Sequence, residues 1–227
     1  MMQIEDILEE NNEGIEHISH GRFAAAKNTF RSAIEKLQEF YQQQKRCKDP
    51  SQYRFIIVEP REIPNSADQE PQSKTHYIYR NALLALVDPN TSEEEGPKDL
   101  DCGGLTAILV FNLSIVYHCS KENDESKSDY EKIIRMYKKA WDALQKDSRT
   151  RTKDRSYHDT VSLGILNNMG ALFHDLAKYR QAQHCFKALK SIVSSKSAGV
   201  QALNADVRNG IILNVLFLDE PTAAIAA

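Results

Sequence analysis

The sequence predicts an all-α protein in which helical hairpins stack into a solenoid, with one small β-hairpin inserted. Three stretches of the chain, beginning near residues 11, 111 and 167, share the same spacing of small and aromatic residues. The second half of each stretch places apolar residues at the 3.6-residue period of an amphipathic helix. A lone hairpin cannot bury its apolar face, so repetition of this kind is typical of stacked helical arrays.

The first and third stretches share one frame, which we align on Gly14 and Gly170. Small and aromatic residues recur at equal offsets in both, as Gly21 and Ala177, Phe23 and Tyr179, Ala26 and Ala182, Phe30 and Phe186, and Ala33 and Leu189. Small residues let two antiparallel helices approach closely, and the aromatic rings fill the space beside them. The spacing predicts one helical hairpin in residues 4–48 and another in residues 156–195.

The second stretch, predicted over residues 102–147, keeps this frame but carries an insertion of several residues. It is anchored on Ser114, and the frame resumes after the insertion at Tyr130, Ile133, Tyr137 and Ala140. Residues 198–218 repeat only the first half of the frame, around Asn214, before Pro221 interrupts it. They predict a capping helix that closes the array, because terminal repeats are often atypical.

This pattern resembles the tetratricopeptide (TPR) repeat, a helical hairpin of about 34 residues. The resemblance covers about half of the chain, and it departs from the family at Ser114, at the insertion and at Leu189. It is also loosely similar to the TPR units of kinesin light chains and of uncharacterised algal TPR-like proteins. The resemblance implies a single domain, residues 1–227. It also implies a scaffold or adaptor that binds a peptide or helix in a concave groove.

Residues 49–101 interrupt the repeat and predict a β-hairpin followed by an acidic loop. One strand is expected over residues 54–59 and the other over residues 76–87, because both are rich in β-branched, aromatic or aliphatic residues and are bounded by prolines. Residues 77–86 are also compatible with a short helix. Residues 88–99 contain no large apolar side chain, so we expect them to be mobile and dispensable.

Composition and motifs argue against several classes of function. A formal net charge of −3 is unfavourable for general nucleic-acid binding, and no apolar run approaches the ~20 residues of a membrane span. The cysteines lack metal or disulfide spacing, and no nucleophile elbow, phosphate-binding loop or zinc-protease motif occurs. We therefore expect a cytoplasmic, non-enzymatic protein without metal or cofactor. The basic run at residues 146–155 keeps a nuclear location open.

The candidate partner-binding residues are polar side chains on the first helices of the hairpins. Asn11 and Asn167 are equivalent in the frame, as are His118 and His174, and Asp175 follows the last of these. Since seven residues are nearly two helical turns, Asn167 and His174 lie on one side of a helix. We expect these side chains to face the concave surface. An asparagine amide there can donate to and accept from the backbone of an extended peptide.

A second set of asparagines follows the first by one position and is expected to serve the fold instead. Its members are Asn12, Asn112 and Asn168, with Asn214 in the capping helix. The TPR resemblance implies that a polar residue here binds a neighbouring helix. Buried amides need such partners, so these asparagines are interpreted as structural.

The charges of the first helices predict the chemistry of the partner. Residues 7–20, 105–120 and 158–177 contain no Lys or Arg, whereas TPR adaptors that hold acidic chaperone tails use those residues. Nearby carboxylates favour a neutral or basic protein or peptide, and these are Glu9, Glu13, Glu16 and Asp175. Two alternatives remain open. One is an RNA- or nucleotide-processing helical protein, and the other is a permanent subunit of a larger assembly.

Overall fold

The computed structural model describes residues 3–47, 56–61, 78–87, 102–120, 127–146, 156–195, 197–201 and 203–218, and these are mostly helical, as the sequence predicts. Long helices occur as three consecutive pairs: α1 (Ile4–Ser19) with α2 (Phe23–Cys47), α3 (Cys102–Cys119) with α4 (Lys127–Lys146), and α5 (Ser156–Asp175) with α6 (Tyr179–Ser194). Strands β1 (Ile56–Arg61) and β2 (Ala82–Val87) lie between the first and second pairs. The chain continues through α7 (Ala198–Gln201) and α8 (Ala205–Leu218).

The helices contact each other most extensively within each pair, and neighbouring pairs also contact each other. Between the pairs, α2 contacts α3, α4 contacts α5, and α6 contacts α8. Helices α3 and α5 carry buried side chains on several faces, whereas α1 buries one stripe, and all three share one apolar core with the second helices. Each second helix also buries one stripe, because its other face meets water.

Glycines on α1 and α5 set the closeness of the helix pairs, as the spacing predicts. A Cβ added at Gly14 would lie 2.7 Å from the Phe30 ring, and one added at Gly170 would lie 2.8 Å from the Phe186 ring. Both distances are below van der Waals contact, so only glycine admits these rings at this separation. The prediction that Gly170 lies at a helix–helix contact is confirmed.

The Ala182→Leu substitution should destabilise the third helix pair. Ala182 is buried at the position equivalent to Ala26, so extra methylenes would overpack a filled contact and cost about 1–3 kcal/mol of unfolding free energy. Urea unfolding would measure this loss. His184→Leu, at an exposed position of the same helix, is the matched control, and it should leave stability within about 0.5 kcal/mol. Equal stability of the two variants would contradict the assigned contact.

The turns that end α1 and α5 share one backbone pattern. Gly21 N donates to Ile18 O at 2.9 Å, and the next amide, of Arg22, donates to His17 O at 2.8 Å. The equivalent bonds after α5 measure 2.9 and 2.8 Å and are centred on Ala177. Gly21 and Ala177 both have positive φ, at 70° and 55°, as this type of helix end requires. The equivalence of the two turns was predicted from their common offset in the frame.

The strands β1 and β2 pair antiparallel, and their bounds differ from those predicted. Residues 82–87 form a strand, so the alternative of a short helix is wrong for this region. Strand β1 continues through Pro60, where the sequence predicts its boundary. Pro60 lies opposite Leu83. The Leu83 N–H donates to the side chain of Asn112 instead, so the missing proline N–H breaks no ladder bond.

Several predicted features lie outside the described residues. They are the acidic loop of residues 88–99, residues 147–155 of the basic run, and the insertion at residues 121–126. The mobility of the loop and a targeting role for the basic run stay predictions.

Candidate functional site

An internal segment of the chain crosses the first helices of the three pairs. This crossing segment, residues 78–85, comprises four residues without regular secondary structure and the first four of β2. Strand β2 contacts α1 and α3, and Tyr79 hydrogen-bonds to a side chain of α5. The side chains of Tyr79, Ala82, Leu83 and Ala85 are all completely buried. The chain therefore packs a segment of its own against α1, α3 and α5.

Asn168 of α5 binds both backbone polar groups of one residue in this segment. The Tyr79 N–H donates to Asn168 Oδ1 at 2.7 Å, and Asn168 Nδ2 donates to the Tyr79 carbonyl at 2.8 Å. Asn168 Nδ2 also donates to Tyr137 Oη at 3.0 Å, and Asn168 Oδ1 accepts from Asn167 Nδ2 at 3.1 Å. An asparagine amide offers two donors and two acceptor sites. All four are used here.

Asn112 of α3 makes the equivalent pair of bonds with the backbone of Leu83. The Leu83 N–H donates to Asn112 Oδ1 at 2.8 Å, and Asn112 Nδ2 donates to the Leu83 carbonyl at 3.0 Å. Asn11 Nδ2 donates to the same carbonyl at 3.1 Å, and Asn11 Oδ1 accepts from Asn112 Nδ2 at 2.9 Å. We call Asn112 and Asn168 the asparagine clamps, because each holds both backbone polar groups of one residue.

The clamps take the place of a neighbouring β-strand. In a strand, one residue directs its N–H and C=O to one edge, and the next residue directs them to the other. Tyr79 and Leu83 are an even number of residues apart, so both present their polar groups to the same edge. That edge meets α3 and α5, while the opposite edge of β2 pairs with β1. The crossing segment thus lies between a strand and a row of side-chain amides.

The asparagine contacts repeat from one end of the array to the other. Asn112 Nδ2 donates to Asn11 Oδ1 between α3 and α1, and Asn214 Nδ2 donates to Asn167 Oδ1 at 2.8 Å between α8 and α5. Asn11 Nδ2 in turn donates to Asn12 at 3.4 Å, as Asn167 does to Asn168. The equivalence of Asn214 with Asn112, which the sequence suggested, is therefore visible in the hydrogen bonds.

The side chain of Tyr79 fills a pocket between α3 and α5. Its ring lies 6.1 Å from that of Phe111, which in turn lies 6.0 Å from that of Tyr137. A Cβ added at Gly164 would lie 2.5 Å from Phe111 Cζ and 3.0 Å from Tyr79 Cδ1. The absence of a side chain at Gly164 therefore creates the room that both rings occupy.

Tyr137 connects this pocket to one of the predicted site residues, His118. Its hydroxyl accepts a hydrogen bond from Asn168 and lies 3.3 Å from His118 Nδ1. Burial raises the pKa of the Tyr137 hydroxyl well above its usual range. The phenol therefore stays protonated, and its proton is available to an imidazole nitrogen.

The predicted site residues fall into two groups in the structure. Asn11, Asn167 and His118 are buried, so their predicted placement on an open surface is wrong. They are covered because the crossing segment and the neighbouring helices pack over them. His174 is half-buried with its ring 5.3 Å from that of Tyr179, and Asp175 is exposed. Contact of these five residues with a partner stays a prediction.

The residues that bind an extended backbone differ partly from those predicted. The sequence predicts this role for Asn11 and Asn167, and it predicts helix contacts for Asn112 and Asn168. The clamps are Asn112 and Asn168, with Asn11 as a third donor, whereas Asn167 bonds to other asparagines. Both sets of asparagines recur in the repeat frame, and this recurrence is the sequence pattern that identifies them. The frame alone does not say which of two neighbouring asparagines binds the segment.

A group of basic side chains that the sequence does not predict surrounds the ring of Tyr117. Lys27 Nζ and Lys132 Nζ lie 4.6 and 4.9 Å from the centre of the Tyr117 ring, and Arg31 donates to the Tyr117 hydroxyl. These residues come from α2, α3 and α4 and are far apart in sequence. They surround a single ring, whereas single-stranded nucleic acids stack on several exposed rings.

The described residues show little that indicates catalysis. Within the described ranges, no three His, Cys, Asp or Glu side chains form a group that could hold a metal ion. Burial raises the pKa of the Cys185 thiol to about 12, so this cysteine is a packing residue and not a nucleophile. Among the described helices, none has the length and apolar character needed to cross a membrane.

Comparison of the chain with family models, with curated proteins and with solved structures gives no significant match.

Proposed function

We propose that this protein is a non-catalytic interaction scaffold or adaptor that binds an extended peptide against α1, α3 and α5. In this proposal the three helix pairs are TPR-like units of a solenoid, with α8 as its cap, and the first helices line a concave groove. The observation that carries the proposal is the pair of asparagine clamps, which hold the crossing segment by its backbone.

Backbone recognition by side-chain amides supports peptide binding in a specific way. A peptide unit offers the same N–H and C=O whatever its side chain, so a clamp accepts any extended chain in the correct register. This is the logic of β-strand addition, with amides in place of a strand edge. A structural role alone needs buried asparagines to be satisfied, but it does not need them to repeat on successive helices.

The charges around the segment support a neutral or basic ligand. Helices α1, α3 and α5 carry no Lys or Arg, and α1 carries several carboxylates. The crossing segment itself contains Arg80 and no acidic residue. An acidic peptide would find no Lys or Arg on these three helices to pair with, so acidic chaperone tails are poor candidates.

Binding of a synthetic peptide to the full-length chain tests the proposal. The probe is a fluorescein-labelled peptide with the sequence of residues 76–87, and the receptor is the Tyr79→Ala, Leu83→Ala double variant, whose own segment has lost both anchors. We expect saturable binding by fluorescence anisotropy. N-methylation of the probe at the residues equivalent to Tyr79 and Leu83 removes the two N–H donors. It should weaken binding about tenfold or more, because each methylation removes one hydrogen bond to a buried clamp oxygen and places a methyl group against it.

The matched control is the probe N-methylated at the residue equivalent to Arg80. In an extended segment this N–H points to the edge away from the clamps, so its methylation should change the affinity much less. Equal losses for the two kinds of methylation would show that the peptide is not held by the clamps. Absence of any binding to the folded double variant would contradict the proposed function.

A further inference from the structure

We propose that the crossing segment is a built-in competitor for the peptide site, and that the partner is an extended neutral or basic segment with an aromatic residue followed four positions later by leucine. This inference rests on the proposed function and adds to it the partner's pattern and the way the site is kept closed. The pattern comes from Tyr79 and Leu83, the two residues held by the clamps.

The four-residue spacing follows from the geometry of the clamps. Each clamp comes from the first helix of a different pair, Asn112 from α3 and Asn168 from α5. Four residues of extended chain span about 13 Å, which is comparable with the ~10–12 Å diameter of one helix. The first helices of consecutive pairs therefore bind residues i and i+4, and a partner must run in the same direction as the segment, with its aromatic residue on α5 and its leucine on α3.

The side-chain pockets add sequence preference to this backbone spacing. The aromatic pocket is formed by Phe111 and by the open space at Gly164, and it encloses the Tyr79 ring completely. Ala82 and Ala85 are also fully buried, so the corresponding positions of a partner must be small. The Asn81 side chain is buried too, whereas Arg80 and Leu84 are partly exposed. A partner of the pattern aromatic, one partly exposed position, one buried position, small, leucine, one partly exposed position, small would match the burial of the crossing segment.

Occupancy by the chain's own segment determines how tightly a partner binds. A site that is open for only a fraction of the time binds its ligand with an affinity reduced by that fraction. The segment is covalently attached, so it competes at a high effective concentration. A separate partner chain displaces the segment only if it makes the same clamp bonds and its side chains fit the pockets better, or if it contacts many pockets at once.

Two measurements on the full-length chain test this competition. In the first, the labelled peptide of residues 76–87 is titrated into the wild-type chain and into the Tyr79→Ala, Leu83→Ala variant. We expect the variant to bind about tenfold more tightly or better, since its own segment no longer holds the site. A probe with alanine at both anchors should bind neither protein, and a probe with a leucine in place of the small residue equivalent to Ala82 should bind weakly.

In the second, hydrogen exchange of the Tyr79 and Leu83 amides is followed in the wild-type chain as peptide is added. These amides should be protected without peptide and should lose protection as the site exchanges its occupant, while those of Ile108 and Leu172 in α3 and α5 stay protected. Because it uses the wild-type chain, this exchange measurement tests displacement of the crossing segment even where the double variant fails to fold.

The outcomes separate the inference from the proposed function. Binding to the variant together with equal binding to the wild type, and unchanged protection at Tyr79 and Leu83, would overturn the competition while leaving peptide binding intact. Protection that persists in the wild type at saturating peptide, with an unfolded variant, would make the segment a permanent part of the core and overturn the inference. No binding to a folded variant would overturn both.

Discussion

Asn168→Ala should lower the free energy of unfolding by about 3–5 kcal/mol, because the change removes four hydrogen bonds from a completely buried site. The Tyr79 N–H and C=O lose their partner at once, and each unsatisfied buried backbone group costs about 1–3 kcal/mol. Alanine cannot replace either bond, and the space it leaves is too enclosed for easy repacking. Urea unfolding of the full-length variant measures the loss.

Asn12→Ala is the matched control, since Asn12 holds the same position of the repeat frame in the first helix pair. Asn12 is only half-buried, and its described side-chain bond, from Asn11, is 3.4 Å long. Its replacement should cost less than about 1 kcal/mol. Similar losses for Asn12→Ala and Asn168→Ala would mean that the frame position matters for helix packing and that the clamp on Tyr79 contributes little.

The helix pairs could be predicted because their determinants are local. Gly14 and Phe30 are on adjacent helices joined by a short turn, so the 3.6-residue period and a fixed offset are enough to bring them together. The same offset recurs at Gly170 and Phe186, and the structure shows the same contact. Where a glycine and an aromatic ring are on two helices joined by one short connection, their spacing in the sequence is enough to predict their contact in space.

The site could be predicted only in part because its contacts are distant in sequence. Asn168 and Tyr79 are in different elements, and the segment that contains Tyr79 lies outside the repeat frame. Nothing in the spacing of the asparagines indicates that the chain itself supplies the bound strand. The chemistry was predictable, since amides bind backbone groups, but the identity of the occupant depends on the path of residues 49–101, which no periodicity defines.

Pro60 shows how one such distant contact changes a local expectation. A proline usually ends a strand because it has no N–H to donate. Here the opposing residue, Leu83, directs its polar groups to Asn112, so the position of Pro60 is one where no ladder bond is required. The strand boundary was misplaced because the helix that relieves the constraint is distant in the chain.

Phe111→Ala should also destabilise the protein by about 3–5 kcal/mol, the usual cost of deleting a fully buried aromatic side chain. Phe111 lies in the frame where the first and third stretches have Asn11 and Asn167, so the second pair has exchanged an amide for a ring. That ring packs between Tyr79 and Tyr137 and touches the open space at Gly164. Thermal or urea unfolding measures the loss.

A double-mutant cycle of Phe111→Ala with Tyr79→Ala measures the coupling free energy between the ring that forms the wall of the pocket and the ring that occupies it. Neighbouring side chains in one cluster are coupled by about 0.5–3 kcal/mol, and we expect a coupling of this size for the two rings. Phe186→Ala combined with Tyr79→Ala is the control, because Phe186 packs on Gly170 within the third pair and the two losses should add. Additivity in the Phe111 cycle would show that the pocket does not depend on Tyr79. In that case the aromatic position of the partner would have no basis in the fold.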